Sequence, residues 1–263
     1  MPGTLKRLST EPKLVDFFNI LYSVVPADSE ELKKETFRLR HQVYCIENEF
    51  EKPSETTHQM ETDEFDNNSV HSIIKYNKSG QSIGSVRMIL PNEHNHTHSF
   101  PIQKICNHSI FTNRKLFTAY KPIEISRFCL SKSQRTMANP CKHSCVQLAS
   151  SSAPFSPALL NKYGPILGLI KGLIQMSSEH QVTHWFAIME PSLIRLLAKL
   201  SIYFKPTGTL INYHGMRQPC YIEFSELLRR VHSEQPQIWE VLTNRGQLDV
   251  GSQGHHGYYA AQS

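Results

Sequence analysis

The chain lacks any apolar run of the roughly 18–20 residues that a membrane-spanning helix requires. Its closest approach, Tyr163 to Met176, is broken by Lys171. It also lacks a block of about five like charges, so it has no basic tract of the kind that binds nucleic acid. Neither a G-x-G-x-x-G nor a Walker sequence is present, which removes the common dinucleotide and nucleotide-triphosphate sites. No internal repeat is visible. The cysteines, at 45, 106, 129, 141, 145 and 220, are scattered without a disulfide framework and are expected to be reduced. Cys129 sits in an apolar, strand-like run, so a buried thiol is expected there.

What is present is an ordinary globular composition. The 263 residues are 39% apolar and 19% charged, enough for one large domain or two small ones. The net charge of +5 is mildly basic. It suits a phosphate-bearing cosubstrate or an acidic carrier protein without demanding nucleic acid. Lys6, Arg7 and Lys13 before Leu14–Ala27 imitate a secretion signal, but Asp16 and Asn19 interrupt its apolar part. The spacing of Leu14, Val15, Phe17, Phe18, Leu21, Tyr22 and Val25 predicts an amphipathic helix, able to touch a membrane surface. The expected location is cytoplasmic.

A second helix is predicted from Asp28 as N-cap, with Glu31 completing a capping box, to about Tyr44. Ser69–Asn77 and Ser82–Leu90 read as a hairpin around Lys78-Ser79-Gly80-Gln81. Pro122–Leu130 is a further strand, and 131–157 a long loop or lid. A helix is predicted from Ile166 with Pro165 at its first position. A buried strand at Thr183–Met189, a helix opened by Pro191, two strands around Gly215 and a short helix capped by Ser225 follow. This order predicts a mixed α/β (α+β) fold with a largely antiparallel sheet flanked by helices, and excludes a regular βαβ barrel or Rossmann fold. The domain is expected over 1–243, with a disordered Gly/Gln/His-rich tail at 244–263.

The densest local signal is Glu61-Thr62-Asp63-Glu64-Phe65-Asp66. Clustered carboxylates repel, so a fold must supply cations or use them for binding. Arg40, one turn before Tyr44, and the strand residues Arg87 and Arg127 are the candidate cations. Charges in this pattern read either as a structural network or as a binding site. The run Arg40-His41-Gln42-Val43-Tyr44, then Phe50, then Glu61-x-Asp63-x-x-Asp66, Arg87 and Glu124-x-x-Arg127 resembles the signature of acyl-homoserine-lactone synthases and N-acyl amino acid synthases. The segments FRLRHQVYCIE, EFDNNSVHSII, ISRFCLS, THWFAIMEPSLIRLL and YHGMRQPC further resemble the acyltransferase family associated with the PEP-CTERM/exosortase system.

The resemblance spans roughly residues 30–222 and implies the GNAT fold. It also implies an acceptor-side cleft lined or braced by Arg40, Tyr44, Phe50, Asp63, Asp66, Arg87 and Arg127. The gap from Phe50 to Glu61 is longer than in the lactone synthases, and the first aromatic is Tyr44 rather than Phe, so S-adenosylmethionine does not carry over as acceptor. An amine must lose a proton to attack a thioester. Glu61 and Glu124 are the candidate general bases, Glu61 preferred. On the donor side, Lys162, Gly164 and Gly168 sit where a GNAT protein turns around a pyrophosphate at a helix start, or else they simply begin a helix. Trp185, Phe186, Met189 and Leu193 would line an acyl tunnel, or else form plain core. His94, His96 and His98, and the Cys141–Cys145 stretch, fit no common zinc spacing, and no metal is expected.

The sequence therefore predicts an N-acyltransferase with no tightly bound cofactor. Its co-substrate is an acyl-carrier-protein or acyl-CoA thioester, and its acceptor the amine of an amino acid or related small molecule. A short-chain acetyltransferase using acetyl-CoA and a non-catalytic acyl-ligand sensor are the alternatives.

Overall fold

The computed structural model describes residues 12–51, 59–92, 95–133, 157–213 and 215–249. The chain opens with α1 (Leu14–Leu21), whose Leu14, Val15 and Phe18 are buried. The predicted first helix stops there: Tyr22–Pro26 form β1, pairing antiparallel with β2 (Ser69–Tyr76). Val24, Val25 and Pro26 favour an edge strand over a helix. The apolar side of α1 is thus turned inward, leaving Ile20 exposed.

Helix α2 (Glu30–His41) is capped by Ser29, whose hydroxyl accepts from Leu32 N–H, one residue later than predicted. A π-helical turn, Gln42–Glu47, continues it. After a 3-10 turn at Glu64–Asn68 come β2 and β3 (Gln81–Ile89), the predicted hairpin. Three short helices follow: α3 (Pro101–Ile105), α4 (Ser109–Thr112) and α5 (Arg114–Ala119). β4 (Pro122–Leu130) matches its predicted bounds. The remaining elements are α6 (Pro157–Glu179), β5 (His184–Met189), α7 (Pro191–Ala198), β6 (Lys205–Pro206), β7 (Ile211–Asn212), β8 (Met216–Glu223), α8 (Phe224–Glu234) and α9 (Pro236–Leu242). Glu223, not Ser225, precedes the first residue of α8.

The sheet runs β1-β2-β3-β4-β5-β8-β6, with β7 on β8. Among the described residues β4–β5 is the one parallel pair. The main core lies on the α6 side, with Ile74, Met88, Ile123, Ile125, Trp185 and Ala187 facing Leu169, Leu173 and Ile174. A smaller cluster on the opposite face joins Ile89, Phe100, Ile102, Phe111, Phe117 and Phe186. Residues 244–249, assigned to the tail from sequence, fold back as turns. Leu248 N–H donates to Thr243 O, and the Leu248 carbonyl accepts from Ser178 Oγ.

Pro165 lies inside α6 rather than at its start. It lacks an N–H, so the Asn161 carbonyl four residues earlier loses its helical donor. Gly164, Gly168 and Gly172 lie one turn apart, and their role is close packing on the sheet. A Cβ at Gly164 would come within 2.6 Å of the Tyr22 ring; at Gly168 it would overlap Ile74, and at Gly172 Ser72.

Candidate active site

The carboxylate cluster is shaped by its own backbone. Asp63 caps the 3-10 turn, accepting from Phe65 N–H at 2.9 Å, while Asp66 accepts from Asp63 N–H at 2.8 Å. This reciprocal capping turns both side chains toward the sheet. Glu61 is anchored beside α2, its N–H donating to Phe37 O.

Three arginines and three carboxylates then close a ring in which every carboxylate sits between two guanidiniums. Arg40 donates to Glu61 at 2.5 Å and, through two nitrogens, to Asp66 at 2.6 and 3.1 Å. Arg87 donates to Asp63 at 2.5 and 3.0 Å and to Asp66 at 2.9 Å. Arg127 donates to Glu61 at 2.7 Å and to Asp63 at 3.1 Å. Arg40 and Arg87 are fully buried. Burial alone would raise the pKa of Glu61, Asp63 and Asp66, but the guanidiniums reverse this and hold all three below the usual carboxylate range. His71, next to the ring, is neutral: burial and then Arg40 push it down to about 4.

Arg127 reaches the ring through a bulge. Ser85 faces Cys129 and Arg87 faces Ser126, so Val86 faces two β4 residues. Arg127 has φ 49°, in the left-handed region that costs a non-glycine residue about 1–2 kcal/mol. β4 and β5 are paired only from Pro122/His184 to Ile125/Ala187, while β4 beyond Ile125 pairs with β3 alone. The two strands therefore part at Ser126, and a cavity of about 530 Å³ opens there.

Glu124 lies just before the parting. Its cross-strand neighbours are Ile89 and Phe186, both fully buried, so the carboxyl stands in an apolar row beside the ring. It accepts Ile102 N–H at 2.9 Å and lines the cavity. The ring balances three positive against three negative charges, Glu51 adds a further carboxylate 3.6 Å from Arg127, and Glu124 is left without a cation of its own. Desolvation raises its pKa to about 8, with the Ile102 N–H and Arg87 opposing.

The cavity has two distinct linings. Asp63, Arg87, Glu124, Ser126 and Arg127 form its polar wall. An apolar arm runs between Ile170 and Leu173 of α6, Met189 of β5, and Leu193, Leu197 and Phe204. Toward solvent, Arg127 lies over the Tyr44 ring at 5.3 Å, Tyr44 and Phe50 are 6.4 Å apart, and Arg217 lies over Phe50 at 5.7 Å.

The structure brings together Arg40, Tyr44, Phe50, Glu61, Asp63, Asp66, Arg87, Glu124 and Arg127, although Arg40, Glu61 and Asp66 brace the cavity from behind rather than line it. Two guanidiniums hold Glu61 below the usual carboxylate range and occupy its oxygens, which argues against the predicted preference for it as base. The predicted donor residues are corrected as well. Lys162 lies over the Tyr163 ring within α6, and Gly164 and Gly168 are mid-helix, away from any free helix N-terminus. Trp185 is core, its Nε1 donating to Ser177 at 2.8 Å, and Phe186 belongs to the second apolar cluster; neither lines the cavity.

Sequence reading missed Ser126, Glu190, Tyr213 and Arg217, all cavity-lining. All four stood within the segments that carry the resemblance, Ser126 in ISRFCLS, Glu190 in THWFAIMEPSLIRLL, and Tyr213 and Arg217 in YHGMRQPC, and that was their only signal. His94 and Cys141–Cys145 lie outside the described residues. Among the described residues no group of three or more His, Cys, Asp or Glu is arranged to hold a metal, and no helix is long and apolar enough to cross a membrane. The four described cysteines are free, with Cys129 buried beside Ser85 Oγ at 3.3 Å.

Residues 39–141 match the family described as Acetyltransferase (GNAT) domain, and the mixed sheet with its parting central strands is the GNAT fold. The fold and the matched segment together support an acyltransferase. Among solved structures, the chain is similar to FeeM, an N-acyl amino acid synthase from uncultured soil microbes. That match has a TM-score of 0.51 and 11% identity, and covers 81% of this chain and 97% of FeeM. TofI, in a ternary complex with an inhibitor and MTA, matches with TM-score 0.54 and 14% identity over 83% of this chain and 99% of TofI. BjaI, a CoA-dependent acyl-homoserine lactone synthase solved with SAM and isopentyl-CoA, matches with TM-score 0.51 and 14% identity. It covers 87% of this chain and 89% of BjaI. No curated protein matches the chain.

Proposed function

We propose that the protein is an N-acyltransferase moving an acyl group from a carrier-protein or coenzyme A thioester to the amine of an amino acid or related small molecule. The observation that carries this reading is Glu124, a buried carboxyl with a pKa near 8 at the point where β4 and β5 part. A base that removes a proton from an ammonium group works best when its pKa lies near the working pH. The amine nitrogen attacks the thioester carbonyl carbon, its proton passes to Glu124 directly or through water, and the C–S bond breaks with the sulfur leaving as thiolate. Backbone N–H groups of β4 beyond its pairing with β5 would receive the carbonyl oxygen as it gains charge.

The apolar arm favours a donor longer than acetyl, since burying each CH₂ contributes about 0.8 kcal/mol. A coenzyme A thioester is supported by the likeness to a CoA-dependent synthase. A carrier protein is supported by the mildly basic surface, and a cytoplasmic setting by both donors. The test combines acyl-carrier-protein and coenzyme A thioesters, acetyl to palmitoyl, with an amine panel, and reads N-acyl product by mass spectrometry. Product is expected with the longer donors. Glu124→Gln is expected to lower kcat about 10²–10⁴-fold with donor binding retained. Tight donor binding with no product from any pairing would establish a sensor and defeat the proposal.

A further inference from the structure

At the solvent end of the cavity a carboxylate of the chain itself occupies a basic subsite. Arg217 Nη1 donates to Glu190 Oε1 at 2.5 Å, and Ser192 Oγ donates to Glu190 Oε2 at 3.1 Å. Glu190 directly precedes α7, so its carboxylate also sits near the positive end of that helix. The two partners are unequally held. The Arg217 side chain is 14% exposed and rests on Phe50, whereas the Glu190 side chain is 49% exposed. The β7–β8 turn fixes Arg217 further: Tyr213 N–H donates to Gly215 O, and Gly215 takes φ 98°. Arg217 therefore has a set position, while Glu190 can turn into water at small cost.

The other guanidiniums nearby are committed. Arg40, Arg87 and Arg127 each hold two carboxylates of the ring. Arg217 alone among these four arginines is held by a carboxylate that is half in solvent. It is joined to the polar wall by an unbroken run of ring contacts through Phe50 and Tyr44 to Arg127.

We infer that Arg217 is the specificity residue for the acceptor: it binds the carboxylate of an amino-acid acceptor, and Glu190 holds that carboxylate's place until the acceptor displaces it. This rests on the acyltransferase reading and adds to it an acceptor that must carry an anionic group on the Arg217 side of its amine. The two hydrogen bonds that Glu190 receives are those the incoming carboxylate would take over. A planar guanidinium suits this exchange better than an ammonium, since it can hold two carboxylate oxygens at once.

The test compares each of the twenty amino acids with its amide and with its decarboxylated amine, in wild type, Arg217→Gln and Glu190→Gln. Two readouts are used: acyl transfer, and turnover-independent binding by ligand-observed NMR. Wild type should favour the free acid over the amide in kcat/KM. That ratio should fall at least tenfold in Arg217→Gln through KM for the acceptor, with KM for the donor unmoved. Glu190→Gln should lower the acceptor KM, because it removes the internal competitor. A ratio equal in wild type and Arg217→Gln, or a raised acceptor KM in Glu190→Gln, would overturn the inference, since a mere brace between β5 and β8 would behave so. Transfer to amides and amines with no preference for acids would refute it while leaving the acyltransferase reading intact. Failure of every donor–amine pairing would instead refute that reading. In that event binding of free acids lost in Arg217→Gln still upholds a carboxylate subsite, and absence of such binding removes it.

Discussion

Replacing Glu124 by Gln should make the protein more stable at alkaline pH while slowing its proposed chemistry about 10²–10⁴-fold. The folded state keeps a proton on Glu124 up to about pH 8, whereas a carboxyl with the ordinary value of 4.5 loses it in the unfolded chain. Between these values the unfolded chain binds fewer protons, so stability falls as pH rises, by about 1.4 kcal/mol per pH unit. The loss is absent below about pH 4.5 and complete above about 8. Its ceiling is about 5 kcal/mol, and relaxation around a buried charge would reduce this to roughly 2–4. Gln at 124 is nearly the same shape, carries no charge and can still accept Ile102 N–H, so this penalty vanishes. For a domain of this size each kcal/mol moves Tm by roughly 2–4 °C. The variant should melt alongside wild type near pH 4.5 and some 4–16 °C above it at pH 8.5. Thermal denaturation of both proteins across that range decides the matter, because the other titrating groups cancel in the difference. A variant less stable than wild type by a constant amount would mean that Glu124 is ionised and paired in the fold, and the reasoning about its apolar row would fail.

Three further outcomes are expected. His71 should titrate near pH 4 by NMR; since the unfolded imidazole takes its proton near 6.5, this group costs stability as pH falls from about 6.5 to 4. Gly168→Ala should destabilise by about 1–3 kcal/mol through overpacking, partly rescued by Ile74→Val, with no change in donor KM. A donor-specific KM effect would restore a binding role for that glycine. Asp63→Asn should leave the ring with a net positive charge and so lower the Glu124 pKa, moving the alkaline rise of kcat/KM toward neutral pH; a profile moved the other way would contradict the charge balance.

Much of the polar wall was legible because its spacing is local. Glu61-x-Asp63-x-x-Asp66 is a capping turn whose geometry is set within six residues, and Arg87 and Arg127 stand on strands with clear alternation. The order of strand and helix was legible for the same reason, since the hairpin at β2–β3 and the run 122–130 carry their own periodicity. The misreadings arose where a local signal had two meanings. Pro165 favours the first turn of a helix, and only the continuation of the helix upstream over 157–164 overrides that preference. Tyr22–Pro26 fits a helical stripe until β2 offers it an edge. Glu190 and Arg217 lie 27 residues apart on different elements. Their meeting depends on β5 pairing with β8, which no short window encodes.

The six-membered charge ring is costly to bury, and replacing such a network by apolar residues often stabilises a protein. Its value lies in what it does to its neighbour. With Arg40, Arg87 and Arg127 each paired within the ring, the pull of Arg87 and Arg127 on Glu124 is partly offset by Asp63, and desolvation outweighs what remains together with the Ile102 N–H. A single unpaired arginine in the same wall would hold Glu124 ionised at low pH and make it a weak base. A wall without arginines would leave Asp63 and Asp66 protonated and free to shift. The ring also fixes the left-handed Arg127, and so the bulge at which β4 leaves β5. The same set of ion pairs therefore braces the polar wall of the cavity and leaves beside it, in Glu124, a carboxyl that burial keeps protonated up to about pH 8.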